Sequence, residues 1–259
     1  MITRLKREKD GILMNGKILR SIDPVTGGAQ VVIHLPGDDS AFITPVSGEL
    51  DVRFEDSHLL ILNKPPFMPV HPVKQHQNNT LANRVVAYAL AKGEHYVFRA
   101  HNRLDRNTSG LVLVAKDKYA VFNLNHRVHK TYTALVHGKM EGKGTVRAPI
   151  GLRVDSKLVR CVINEGTPAV THYRVLFGDE RYSCLSLVLE TGKTHQIRCH
   201  MSYLGHPLLG DDLYGGTTEL IQRHALHCGE MRFVHPVTGE EMYITAPLPD
   251  DMQKLMKKP

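Results

Sequence analysis

A chain of 259 residues with 42% hydrophobic and 23% charged residues can bury a substantial core, and its composition excludes extended disorder. Its 33 Lys and Arg outweigh 26 Asp and Glu for a formal charge of +7, which points to a polyanionic partner, and its 16 His would add positive charge in mild acid. The four cysteines, Cys161, Cys184, Cys199 and Cys228, are far apart and form no C-x-x-C pair, which argues against a structural zinc and a secreted disulfide scaffold and for a reducing cytoplasm.

The opening Met1-Ile2-Thr3-Arg4-Leu5-Lys6-Arg7 lacks the apolar stretch of a signal peptide. No segment approaches the roughly 20 apolar residues of a membrane span, so a soluble cytoplasmic protein is expected. Residues 1–45 read as a small β-rich unit. Two apolar runs within Gly11 to Leu19 are joined by Asn15-Gly16, a tight-hairpin signal, and Ala29 to Ile33 reads as a third strand. The polar stretch from Pro36 to Ser40 reads as a linker.

From Pro45 onwards strands alternate with a few helices. Leu59 to Leu62 and Leu111 to Val114 are continuous apolar runs, the pattern of buried strands. Thr131 to Val136 and Val170 to Phe177 are rich in β-branched and aromatic residues, and Tyr182 to Glu190 places Leu185, Leu187 and Leu189 on one side. Helices are predicted at Leu81 to Ala91, Lys118 to Val128 and His195 to Leu204, the last with Ile197, Met201 and Leu204 on one apolar stripe. The expected class is α+β, with a mostly antiparallel central sheet flanked by helices.

Three segments concentrate polar chemistry against strand signals. In His101-Asn102-Arg103-Leu104-Asp105-Arg106-Asn107-Thr108-Ser109-Gly110, Asp105 lies between two arginines, whose charge favours an ionised carboxylate able to act as nucleophile or base. Asp105 and Thr108 also suit a turn before a strand. In Lys130-Thr131-Tyr132, Tyr132 can equally be a core aromatic of its strand. In Gly192-Lys193-Thr194-His195-Gln196-Ile197-Arg198, Thr194 is a candidate N-cap. Arg198 borders the apolar stripe, so it is expected to be partly buried and to want a carboxylate partner. His195 and His200 are five residues apart, unlike the i, i+4 pair of a zinc helix, so no metal site is expected.

These segments, in this order and spacing, resemble the RluA-type pseudouridine synthases. Asn63-Lys64-Pro65-Pro66-Phe67-Met68-Pro69-Val70-His71-Pro72 is similar to the family's early motif, and Gly205-His206-Pro207-Leu208-Leu209-Gly210-Asp211-Asp212-Leu213-Tyr214-Gly215 to its later one. Leu226-His227 and Ala246-Pro247-Leu248-Pro249 resemble its closing strands, and the resemblance spans residues 50 to 250. It implies a pseudouridine synthase catalytic domain over 46–259, preceded at 1–45 by a truncated form of the small RNA-binding domain that often precedes such enzymes. It also implies Asp105 as the catalytic aspartate, Tyr132 over the target base and Arg198 paired with Asp105. Asn102 stands where the family often has His, and Lys193 where it usually has Arg, while the three catalytic positions are intact.

The implied reaction breaks the bond between uracil and ribose, turns the base and rejoins it through C5, with no redox change and no cofactor. A carboxylate can attack the ribose C1′, support it electrostatically or assist proton removal. An aromatic ring stacked on the base contributes roughly 1–3 kcal/mol. The target uridine must be flipped out or lie in a loop. RNA contacts are expected from Lys64, His101, Asn102, Arg103, Arg106, Thr108, Lys130, Lys193 and His195, the cations gripping the backbone. The expected partner is ribosomal or transfer RNA, and the expected state a monomer. A silent RNA-binding protein would have lost one of the three catalytic residues, and a metal-dependent hydrolase, suggested only by the histidines, would be inhibited by chelators.

Overall fold

The fold is taken from a computed structural model, which describes residues 10–20, 22–34, 43–124 and 128–256. Strands β1 (Ile12–Met14) and β2 (Lys17–Ile18) form the hairpin expected from Asn15-Gly16, with both turn residues at positive φ, 47° and 79°. Strand β3 (Val31–Ile33) pairs antiparallel with β1, completing a three-stranded sheet in the order β2-β1-β3. The linker expected at 36–40 lies outside the described residues.

The remaining strands are β4 (Asp51–Glu55), β5 (Leu59–Lys64), β6 (Ser109–Ala115), β7 (His129–His137), β8 (Lys143–Arg147), β9 (Ile150–Leu152), β10 (Arg160–Val162), β11 (Val170–Gly178), β12 (Tyr182–Leu189), β13 (Leu226–Val234) and β14 (Glu241–Thr245). Nine of them form one sheet in the order β4-β5-β6-β13-β7-β12-β11-β8, with β14 on β13, while β9 and β10 pair with each other. Every pairing is antiparallel except β6 with β13. The apolar runs of β5 and β6 are buried along nearly their whole length, as continuous hydrophobic strands require.

Helix α1 (Leu81–Ala91) starts at a capping box in which Thr80 and Asn83 satisfy each other's backbone N–H groups. Helix α2 (Lys118–Leu124) is shorter than predicted, and Val128 is no longer helical. Helix α3 (Gln196–Tyr203) buries Ile197 and Met201 against the main core. Its N-cap is His195 at φ 57°, not Thr194; the left-handed backbone at His195 shifts the helix start one residue on. Helix α4 (Asp250–Met256) was not anticipated. The strand expected over Ala246 to Pro249 is absent, because β14 ends at Thr245 and Pro247 and Pro249 have no N–H for a ladder. Among the described residues, no helix is long and apolar enough to cross a membrane.

This topology brings the polar segments together. The loop carrying Asp105 enters β6, whose first residues, Ser109 and Gly110, lie beside His227 and Cys228 of β13. Tyr132 of β7 sits opposite Cys228 on one side and Leu187 of β12 on the other. Beyond β12 the chain turns into α3, which carries Arg198.

Candidate active site

The turn expected at Asp105 and Thr108 is present, and it leaves the Asp105 carboxylate facing the cleft. The Asp105 carbonyl accepts a hydrogen bond from the Thr108 N–H at 3.1 Å, closing a tight turn that frees the carboxylate. Buried groups then hold the turn almost residue by residue. Lys64 Nζ donates to the Arg106 carbonyl at 3.2 Å and to those of Pro65 and Met68, each at 2.8 Å. Arg223 Nη1 donates to the Asn107 carbonyl at 3.0 Å. Thr108 Oγ1 shares a hydrogen bond with His224 Nε2 at 2.8 Å, and Ser109 Oγ one with His227 Nδ1 at 3.0 Å. Burial, reinforced by Arg198 and Arg223, pulls His224 down to about 2, and burial draws His227 down to about 4, so both rings are neutral at pH 7. Burial also draws the Lys64 ammonium down to about 7, with Arg223 acting in the same direction and Asp105 against it.

Arg198 is the hub. Its Nε and Nη2 grip Asp211 bidentately at 2.7 and 2.8 Å, and its Nη1 reaches Asp105 Oδ2 at 3.2 Å. Burial opposes the Arg198 charge, but the two carboxylates outweigh it and hold the group above its ordinary value. The guanidinium lies over the Tyr214 ring, 4.9 Å from its centroid. His195 Nδ1 and the Tyr214 hydroxyl are hydrogen-bonded at 3.0 Å, which brings His195 Nε2 to 3.7 Å from Asp105 Oδ2. Burial lowers the His195 value, and Asp105 opposes that shift. The left-handed φ of His195, uncommon outside glycine, thus falls at the site itself.

Tyr132 is buried, with its hydroxyl paired to the Cys228 thiol. Burial, then Cys228, then Asp105 push the phenol well above its ordinary range, so at neutral pH it offers a proton or a ring face rather than a base. Arg103, Asp105, Thr108, Tyr132, Lys193 and Arg198 line an open cleft of about 380 Å³, together with His195 and apolar neighbours.

The structure therefore gathers Asp105, Tyr132 and Arg198 in one cleft and adds two residues that sequence reasoning had left without a role, Asp211 and Tyr214. The signal for them was the Gly210-Asp211-Asp212-Leu213-Tyr214-Gly215 stretch, where a buried acid close after an arginine-bearing helix is the natural partner for that arginine. Arg103 and Arg106 are exposed, and Lys193 is half-buried at the rim. Three assignments to RNA are corrected. Lys64 has no exposed surface and its ammonium is occupied by three carbonyls. Asn102 is buried, with its amide bonded to the backbone of Leu111 and Leu113. Thr108 lines the cleft but is almost fully buried and bonded to His224. His101 and Lys130 are half-buried beyond the cleft lining, Lys130 donating to the Val128 carbonyl. His200 has both ring nitrogens engaged, by Thr171 Oγ1 and the Ala148 carbonyl.

The family model described as RNA pseudouridylate synthase matches residues 58–203. An uncharacterised RNA pseudouridine synthase of Bacillus subtilis, YjbO, is 40% identical over 266 residues, covering 99% of this chain and 93% of that protein. Ribosomal large subunit pseudouridine synthase D of Escherichia coli K12 is 36% identical over 266 residues, covering 95% of this chain and 82% of that protein. Among solved structures, human RNA pseudouridylate synthase domain containing 1 superposes with a TM-score of 0.62 at 26% identity, covering 83% of this chain and 86% of that one.

Proposed function

This chain belongs to the RluA-type RNA pseudouridine synthases, and from that premise we propose that it isomerises uridines of large-subunit ribosomal RNA, with Asp105 acting at the ribose, Arg198 as its cationic partner and Tyr132 over the base. The observation that carries the catalytic reading is the Asp105–Arg198 pair at 3.2 Å in a cleft that Tyr132 also lines. The choice of RNA is supported by the likeness, across nearly the whole chain, to a relative named for the large ribosomal subunit.

In this reading a flipped-out uridine enters the cleft. The Asp105 carboxylate, oriented by Arg198, attacks or supports C1′ while the bond from N1 to C1′ breaks. The base turns against Tyr132, C5 bonds to C1′, the C5 proton leaves and N1 gains one, so the sum is an isomerisation with no co-reactant. Arg103, Arg106 and Lys193 hold the RNA backbone at the rim, each contact adding salt dependence to binding. In this reading the enzyme works as a cytoplasmic monomer, with residues 46–259 as its catalytic domain and residues 1–45 as a segment similar to a small RNA-binding domain.

The test is tritium release from RNA labelled at uridine C5, with ribosomal and transfer RNA assayed separately and wild type beside Asp105→Ala. Wild type releases tritium from large-subunit RNA; the variant releases none while its RNA affinity stays within a few-fold. Release from transfer RNA alone would move the substrate, and turnover by Asp105→Ala would sink the catalytic assignment.

A further inference from the structure

Beneath the catalytic loop lies a second buried guanidinium, that of Arg223, whose side chain has no exposed surface. Its Nη1 donates to the Asn107 carbonyl, two residues after Asp105, and to those of His224 and Leu226, at 3.0, 3.2 and 3.3 Å. Its Nε and Nη2 form a bidentate pair with Asp251 of α4 at 2.7 and 2.9 Å. Helix α4 is itself anchored: Met252 is fully buried, and the Tyr182 hydroxyl of β12 donates to the Leu255 carbonyl at 2.7 Å.

The backbone of Arg223 meets the site from the other direction. Gly210, at φ 73°, packs so closely against the Arg223 carbonyl that a Cβ there would overlap it. The next residue is Asp211, which grips Arg198. Arg223 therefore stands between the loop that presents Asp105 and the turn that presents Asp211, the two carboxylates that share Arg198. The Arg223 guanidinium is fully buried and, among the described residues, its only carboxylate partner is the bidentate Asp251, so that carboxylate is what offsets the buried charge.

We propose that Arg223, neutralised by Asp251, is a positioning residue that sets the Asp105–Arg198 geometry and makes the C-terminal helix α4 part of the active site's support. This rests on the reading of Asp105 as the catalytic aspartate. Misplacement of a reacting group by about 1 Å can cost 10²-fold in rate without weakening binding, and that separation distinguishes positioning from mere core stability.

The experiment compares Asp251→Asn, Asp251→Glu and Arg223→Lys with wild type, and includes Asp105→Asn as reference. Single-turnover tritium release at saturating enzyme gives the rate constant, filter binding gives RNA affinity, and urea titration confirms folding. Asp251 is partly exposed and Asn keeps an oxygen acceptor for Arg223, so Asp251→Asn is the gentler change, and rates are compared under conditions where urea titration shows each variant folded. Asp251→Asn is expected to slow isomerisation about tenfold or more with affinity within about twofold, and Asp251→Glu to recover most of the rate. A folded Asp251→Asn with the wild-type rate constant overturns the proposal, as does a rate loss that only mirrors lost affinity. Turnover by Asp105→Asn would instead overturn the catalytic reading beneath it, so the two failures are separable.

Discussion

Arg198 holds two carboxylates in different ways, and the difference separates the role proposed for Asp105 from the structural one of Asp211. Asp211 is fully buried and takes both ends of the guanidinium fork, whereas Asp105 is 29% exposed and takes one N–H at the cleft. Removing one partner of a buried pair leaves an uncompensated charge and costs about 3–5 kcal/mol. Asp211→Asn should therefore lower the urea-unfolding free energy by about 3 kcal/mol, and Asp105→Asn by less than about 1 kcal/mol, because Arg198 keeps Asp211. Equal losses in urea titrations would mean that the two carboxylates share the structural load. Asp105 and Tyr132 taken singly suited a turn and a strand core equally well, and Asp105, Tyr132 and Arg198 stood out as a set only through the resemblance of their segments, in order and spacing, to the RluA-type family. Lys64 was misread for a physical reason: a lysine's destination depends on whether folding brings carbonyls around it, and those of Pro65, Met68 and Arg106 converge only once the loop has formed.

At the scale of elements, the junction of β6 with β13 is a close contact directly beneath the site. Among the described residues it is the sheet's one parallel pairing, and Gly110 there has φ 113° with the Cys228 backbone where a Cβ would be. A methyl group cannot yield against backbone, so Gly110→Ala must separate the strands, and because Cys228 partners the Tyr132 hydroxyl the shift reaches the cleft. The expected cost is about 3 kcal/mol or more, read as a lower thermal midpoint, with turnover lost further than stability alone explains. Full activity in a folded Gly110→Ala would show that the junction has slack. Apolar runs such as β5 and β6 were legible because both faces are buried, and the β1–β2 hairpin because Asn15-Gly16 fixes the turn chemistry. Strands β4, β8 and β14 were not, since each is largely exposed, carries charged residues and owes its ladder to a neighbour rather than to its own pattern. The start of α3 was missed because positive φ is uncommon for any residue but glycine and nothing local in the sequence marks His195 for it; tertiary contacts with Tyr214 and Asp105 accompany it there.

Across the whole molecule, the buried titratable groups give stability a definite dependence on pH. Burial lowers His71, His137, His195 and His200, and takes His224 and His227 down to about 2 and about 4. In the unfolded chain each His binds its proton near pH 6.5, so below that value the unfolded state takes up protons that the native state refuses. The histidine contribution is therefore whole above about pH 6.5 and is lost with acidification, His224 and His227 together accounting for about 3 kcal/mol per pH unit. Lys64, neutral in the fold above about 7, carries the same sign on the alkaline side, because the unfolded lysine stays charged to higher pH. Opposing them above pH 9, burial raises Cys184 and Cys199 to about 11 and Cys228 to about 12, so the unfolded chain releases thiol protons that the native state keeps. The two limbs place maximum stability at about pH 8–9, and urea titrations from pH 4.5 to 10 should trace that dome. His227→Gln should flatten the acid limb by about 1.4 kcal/mol per pH unit, since it removes one of the two steepest contributors while leaving the alkaline limb in place. A profile flat between pH 7 and 5, or a slope unchanged by His227→Gln, would mean that water reaches these rings and that the floor beneath the catalytic loop is looser than its hydrogen bonds imply.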